Sequence, residues 1–257
     1  MARELRASEL GADRRYFPRV ERLMPLAYEL AQSEPRTAHG RVLRAREVLS
    51  ARGRHGRPWY APPGGLWLAL SLYDHHLPQT RGLLSLIFGL ALGWMAETLG
   101  APARVRWLND LHHQGLKIAG VLVEKRGPWL IVGVGVNLNN KPPAGFPAES
   151  LARLLGRSLS EEEVEQIFLE GLRFYYAKLL ALEAELSPYD EVPPNFLTRE
   201  FVRFSDTLGR CVAWARDLEK EPPLVGWARA LCPDGTLLLE IEGKTFPVET
   251  GELLYLF

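Results

Sequence analysis

Ala103–Asn140 reads ARVRWLNDLHHQGLKIAGVLVEKRGPWLIVGVGVNLNN. Apolar and β-branched residues alternate through it in short runs, and the runs are separated by Asn, Gly and Pro. That spacing predicts three strands, with tight turns at Asn109–Gly115, at Lys125–Pro128 (KRGP) and at the exit Asn137–Asn140. Two features set the stretch apart from an ordinary meander. Lys117 stands at the head of an otherwise apolar strand, and Gly133 and Gly135 alternate along the next one.

Outward from this stretch the chain alternates strands and helices. Upstream, Arg19–Gln32 carries apolar residues at helical spacing, with Pro25 marking a late start. Arg41–Ala45 and Gly64–Asp74 read as strands, and Gly82–Gly100 as a buried helix whose glycines and Glu97 argue against a membrane span. Downstream, Leu159–Leu186 is the clearest helix. Ser160 and Glu163 form a capping box, and acidic residues crowd the first turn, where the helix dipole favours them. The proline-rich Ser187–Phe196 reads as a connector. Five or six short alternating strands follow, turning at Pro233–Gly235 and Glu242–Lys244, and suggest a small SH3-like barrel.

The 257 residues carry 31 Lys+Arg against 31 Asp+Glu, a neutral balance that argues against a dedicated nucleic-acid protein. The N-terminus mixes charges of both signs without an apolar core, so no signal peptide is expected. Cys211 and Cys232 fit no metal spacing and read as free thiols in a reducing cytoplasm.

Against that neutral background, Ser50–Gly65 (SARGRHGRPWYAPPGG) concentrates Arg52, Arg54 and Arg57 around Gly53 and Gly56. Arginine forks suit phosphates and carboxylates, and glycines let backbone N–H groups approach them. The same composition also fits an exposed turn that binds nothing. Lys117 needs an anion if it is partly buried: Asp110 supplies one from the protein, and a ligand carboxylate or phosphate supplies another. Asn109 and Asp110 suit magnesium or nucleotide oxygens, or an ordinary polar turn. The small residues of Gly133–Asn139 leave room for a flat ligand or for close backbone packing.

Taken in order, GRHGRPWYAPPGG, WLND, KIAGVLVE, GVGVNLN and a terminal β unit resemble the biotin–protein ligases, also called biotin–[acetyl-CoA-carboxylase] ligases, from about Gly40 to the C-terminus. The resemblance implies an α+β fold. A catalytic domain over 1–190 would hold a mixed sheet with flanking helices, of the class II aminoacyl-tRNA synthetase and biotin–lipoate ligase kind. An SH3-like domain would occupy 191–257. It implies a cytoplasmic enzyme that condenses biotin, a small-molecule carboxylic acid, with ATP and Mg²⁺. The product, biotinyl-5′-AMP, would then give its acyl group to a lysine of a biotin carboxyl carrier protein. Lys117 and Arg54 take the catalytic positions. Arg52, Gly53 and Arg57 match the loop over the pyrophosphate and adenylate, and Trp59 matches the aromatic that shields it. Asn109, Asp110 and Asn137 match the nucleotide side, with Asp110 toward the metal, while Gly120, Gly133 and Gly135 line the biotin slot. Members often form homodimers through the catalytic sheet. With no room before Val20 for a winged helix, no DNA role is expected, nor a membrane one.

The ring end of the slot departs from the family pattern. Its Ser-Thr-Asn is matched by Arg22, Leu23 and Met24, its Gln by Val48 and the Thr after it by Leu49. Ala51 stands for a Gly before the first loop arginine, and Leu108 for the Pro of WPND. Each ligand group buried without a partner costs about 1–3 kcal/mol, so two further readings stand beside biotin ligation. One is an adenylate-forming ligase for a more apolar acid. The other is a non-catalytic relative.

Overall fold

A computed structural model describes residues 7–256. Its larger sheet has seven strands: β1 (Arg14–Phe17), β2 (Arg41–Ala45), β3 (Leu66–Tyr73), β4 (Arg104–Arg106), β5 (Asp110–His113), β6 (Leu116–Arg126) and β7 (Trp129–Val136). They lie in the order β1-β2-β3-β7-β6-β5-β4. The β1–β2 pair is parallel and every other pair antiparallel, so the sheet is mixed, as expected.

The Ala103–Asn140 stretch therefore yields four strands, not three. The turn expected over Asn109–Gly115 contains β5, and β4 closes the edge before it. Leu111 alone carries an apolar signal inside that segment, and its flanking histidines hid a short strand stabilised by its partners.

Helix α1 (Leu23–Ser33) covers one face of this sheet, packing on β3 and β7. Pro25 sits in its first turn, where the backbone N–H has no intrahelical partner to lose. On the opposite face lie α2 (Arg81–Leu99), a short α3 (Leu151–Leu155), α4 (Glu161–Ala184) and α5 (Phe196–Phe204). Neither β1 nor α5 is legible in the chain as an element of its own. Helix α2, with the turn before it, is long and apolar enough by length and composition to cross a membrane. Here it is the central core helix, with Leu86, Phe88 and Leu92 fully buried. Ser160 caps α4 as its sequence predicts, accepting from the Glu163 N–H at 3.3 Å.

The second sheet is antiparallel, with five strands: β8 (Cys211–Ala215), β9 (Leu224–Leu231), β10 (Leu237–Ile241), β11 (Lys244–Val248) and β12 (Glu252–Tyr255). Their order is β11-β10-β9-β8-β12. A polar joint ties it to the large sheet. Thr207 Oγ1 accepts from the Trp107 N–H at 3.0 Å and bonds the Tyr255 hydroxyl, while Asp206 takes His112 at 3.1 Å. Gly235 accepts from the Trp107 indole at 3.1 Å.

One buried ion pair locks the start of α2 to the end of α4. Glu183 receives His76 Nδ1 at 3.0 Å, the Leu77 N–H at 3.2 Å and the Thr80 hydroxyl. Burial pushes the Glu183 carboxyl up, but these donors outweigh it and hold the group below its usual range. The unfolded chain thus binds a proton that the folded chain resists. Stability from Glu183 is full above the ordinary glutamate pKa of about 4.3 and drains as the pH falls below it. Replacing Glu183 with Gln should cost about 3 kcal/mol at pH 7 and flatten the acid limb of the stability curve. Urea melts of both proteins from pH 7 to pH 3 measure this.

Candidate active site

The site is built on the α1 face of the large sheet, where the neighbouring strands β6 and β7 carry glycines. Gly135 on β7 pairs with Gly120 on β6 and with Trp67 on β3; one step along β7, Gly133 pairs with Ala69 and Leu122. Alternate β7 residues Val132, Val134 and Val136 point the other way and are buried against the helices. The glycines therefore form a shelf on one face and the valines a core wall on the other.

Lys117 reaches the shelf through a register fault. Asp110 pairs with Gly120, Leu111 with Ala119, and His112 with Lys117, which leaves Ile118 as an extra, unpaired residue. This bulge turns both Ile118 and Ala119 into the core, where neither is exposed, and returns Lys117 to the face of Gly120. A β-carbon placed on Gly120 would lie 2.9 Å from both Lys117 Nζ and Asp110 Oδ1. Only glycine leaves room there for the Lys117 Nζ–Asp110 Oδ2 pair at 2.7 Å. Both side chains are about one-third exposed, 37% and 33%, so the charged end remains open to a ligand.

Asp110 is fixed from behind. The WLND segment crosses α2 at Gly89, where an added β-carbon would meet the Leu108 carbonyl oxygen at 2.8 Å and Asn109 Cα at 3.2 Å. Asn137, buried at the end of β7, bonds the Lys117 carbonyl at 3.5 Å through Nδ2 and accepts from Asn140 at 2.9 Å through Oδ1. It braces the strand that carries Lys117.

Two side chains cover the glycines. The Trp59 indole lies on Gly135, 2.9 Å from where a β-carbon would stand, and Lys117 Nζ sits 5.4 Å from its ring centre. Trp59 Nε1 is buried with no hydrogen-bond partner among the described residues. An unpaired buried donor is costly, and it leaves a place for a ligand acceptor. Met24, at the start of α1, lies on Gly133 with Sδ 2.6 Å from a β-carbon there. The family resemblance already sets Met24 at the ring end of the slot, among the departures from Ser-Thr-Asn, and its place over Gly133 follows from where α1 starts.

The structure thus brings Lys117, Asp110, Gly120, Gly133, Gly135 and Trp59 together, and it takes the tip of the arginine loop elsewhere. Gly53 N–H donates to the Arg57 carbonyl at 2.8 Å and Arg52 to the Gly56 carbonyl at 3.3 Å, so the loop closes on itself. Arg54 donates to the Gly251 carbonyl at 2.5 Å and to Thr250 at 3.0 Å. Arg57 pairs with Glu252 at 2.7 Å, Glu219 at 3.1 Å and Asp217. Burial alone would lower the Arg57 guanidinium, but Glu252 and its acidic neighbours outweigh it and hold the charge more firmly than usual. Asp217, Glu219 and Glu252 escaped sequence reading because they are scattered through the terminal strands and loops.

Among the described residues, one trio of metal-ligating side chains converges, His55, Asp217 and Glu252. Arg57 already supplies a cation to both of those carboxylates. Asp110 offers a single carboxylate beside the shelf. That donor set suits Mg²⁺, which takes one or two carboxylates and completes its shell with phosphates and water. The loop contacts predict a measurable opening. In the Asp217→Asn, Glu252→Gln double variant, trypsin should cut after Arg52 or Arg54 several-fold faster, because local opening sets cleavage when reclosing is fast. An unchanged rate would show that these ion pairs do not hold the loop.

Comparison with known proteins agrees with this fold. Residues 30–139 match the Biotin/lipoate A/B protein ligase family model. The chain is 30% identical over 223 residues to the biotin–[acetyl-CoA-carboxylase] ligase of Mycobacterium tuberculosis, covering 84% of this chain and 79% of the relative. It is 36% identical over 218 residues to the Escherichia coli bifunctional ligase/repressor BirA, covering 79% of this chain and 63% of that one. In fold it resembles the biotin protein ligase of Aquifex aeolicus, solved with biotin and ATP, at a TM-score of 0.74 and 24% identity over 95% of this chain and 98% of that one. With a relative so similar over most of both lengths, the chain belongs to the biotin–[acetyl-CoA-carboxylase] ligase family.

Proposed function

We propose that this protein is an ATP-dependent biotin ligase that forms biotinyl-5′-AMP and transfers biotin to a lysine of a biotin carboxyl carrier domain. The observation that carries the reading is Lys117 Nζ held 2.7 Å from Asp110, beside a glycine shelf and under Trp59. An ammonium at the end of a flat, side-chain-free slot suits a carboxylate whose body lies along the slot.

In the first step a biotin carboxylate oxygen attacks the α-phosphorus of ATP in line, the bond to the β-phosphate bridge breaks, and pyrophosphate leaves. No protein nucleophile is needed. Lys117 lies between the two anions and offsets the charge that builds as they approach, so orientation and charge neutralisation supply the rate. Asp110, paired with Lys117, orients the ammonium and is the carboxylate that would hold Mg²⁺. The bound ion offsets negative charge on the phosphates. Asn109 flanks the nucleotide side, and Asn137 acts through the Lys117 strand it braces. Arg52, Gly53, Arg54 and Arg57 belong over the pyrophosphate and adenylate, a position the loop reaches by leaving Asp217 and Glu252. Trp59 shields the adenylate from water. In the second step the carrier lysine amine attacks the acyl carbon, AMP leaves, and the amine gives up a proton as the amide forms.

Residues 1–190 form the catalytic unit in this reading and 191–257 the SH3-like unit, with α5 packed on α2 at the joint between them. The reading places the enzyme in the cytoplasm, without DNA or membrane partners. Light scattering tests the homodimer through the catalytic sheet that goes with it.

Biotin-dependent exchange of labelled pyrophosphate into ATP tests the first step. Wild type should exchange with biotin and Mg²⁺, and Lys117→Ala should lose about a thousandfold in rate, the scale of removing one preorganised charge-stabilising group. Near-normal exchange in that variant would remove Lys117 from the mechanism.

A further inference from the structure

Met24 lies over Gly133, the end of the shelf away from Lys117. One inter-strand step and two residues along β7 separate Gly120 from Gly133. That is about 8 Å, the reach of roughly seven singly bonded carbons. An acid with its carboxylate at Lys117 and its body along the shelf therefore has to lift the Trp59 indole off Gly135 and, at its far end, move Met24 off Gly133.

The walls around this far end are apolar. Leu23, Ala27, Val48, Ala69 and Ile131 are buried in the cluster against which Met24 packs. Nearby polar groups are already engaged. Ser71 donates to the Ala27 carbonyl at 3.3 Å, and Arg126 holds Glu124 at 2.6 Å while its guanidinium stands over the Tyr28 ring. A polar ring seated here meets few free partners, whereas a methylene chain loses none. Methionine is unbranched and deformable, and it yields to a linear chain more readily than to a bulky ring.

We infer that Met24 is the specificity-determining residue of the acid slot, a displaceable apolar plug, and that the slot therefore adenylates unbranched apolar carboxylic acids of about eight carbons as well as biotin. The inference rests on the reading of the shelf as the acid site. The chemistry is that of the first step: a carboxylate oxygen bonds to the α-phosphorus, pyrophosphate departs with the electron pair of the broken bond, and an acyl-AMP remains.

Pyrophosphate exchange with biotin and with octanoate, in the full-length protein with ATP and Mg²⁺, tests it. Wild type should use octanoate with a kcat/KM within about tenfold of that for biotin, since apolar pockets discriminate weakly. Met24→Ala removes the plug and should shift the ratio toward the bulkier biotin by about tenfold, the scale of a changed apolar contact. Met24→Leu keeps an apolar cover and should leave the ratio near wild type, which separates loss of the plug from damage to α1. Quenching of tryptophan emission by each acid without ATP gives a second readout, because Trp59 lies over the same shelf. Exchange with biotin but not octanoate, or a ratio unmoved in Met24→Ala, overturns the inference and leaves biotin ligation standing. Silence with every acid overturns the ligase reading itself and this inference with it.

Discussion

The ion pair between Lys117 and Asp110 is the constraint on which the site depends. A free ammonium at the head of an apolar strand would be expelled toward water or neutralised. Here one carboxylate at 2.7 Å holds it in place while about a third of its surface stays open. The bulge at Ile118 is the backbone condition for that pair, because without the extra residue Lys117 would face the core. Gly120 is the steric condition, because any side chain there would occupy the space of both charged groups. Asn137 behind Lys117 and Gly89 beneath Asn109 then fix the two partners from opposite sides.

Around this rigid centre the covering parts are held by exchangeable contacts. Trp59 and Met24 touch the shelf through packing alone, without hydrogen bonds that a ligand would have to break. The arginine loop is held by carboxylates of the C-terminal unit, which hold Arg57 as a phosphate would. In the proposed reading Arg57 exchanges these acidic side chains for a polyphosphate, and binding ATP and releasing the C-terminal contacts would be parts of one equilibrium.

Much of this architecture is legible in the chain. Alternation gives β2, β3, β6 and β7, and the capping box at Ser160 marks α4 to the residue. Lys117, Gly133 and Gly135 stand out because each breaks the local pattern, a charge or a gap in an apolar strand, whereas Gly120 and Trp59 are marked only by the family resemblance. What stayed hidden lacks such a break. Strand β5 is stabilised by its neighbours rather than by its own residues, and Asp217, Glu219 and Glu252 are ordinary surface acids until the loop meets them. Met24 is an apolar residue in an apolar helix turn, and only the fold sets it over Gly133.

A crystal structure with biotin bound is the most direct measurement of the central claim. The account predicts the biotin carboxylate within about 3 Å of Lys117 Nζ, a charge-assisted contact, the body of the ligand along Gly120, Gly135 and Gly133, and both Trp59 and Met24 displaced from the glycines they cover. Biotin bound away from the shelf, with Lys117 still on Asp110 and Met24 still on Gly133, would contradict it.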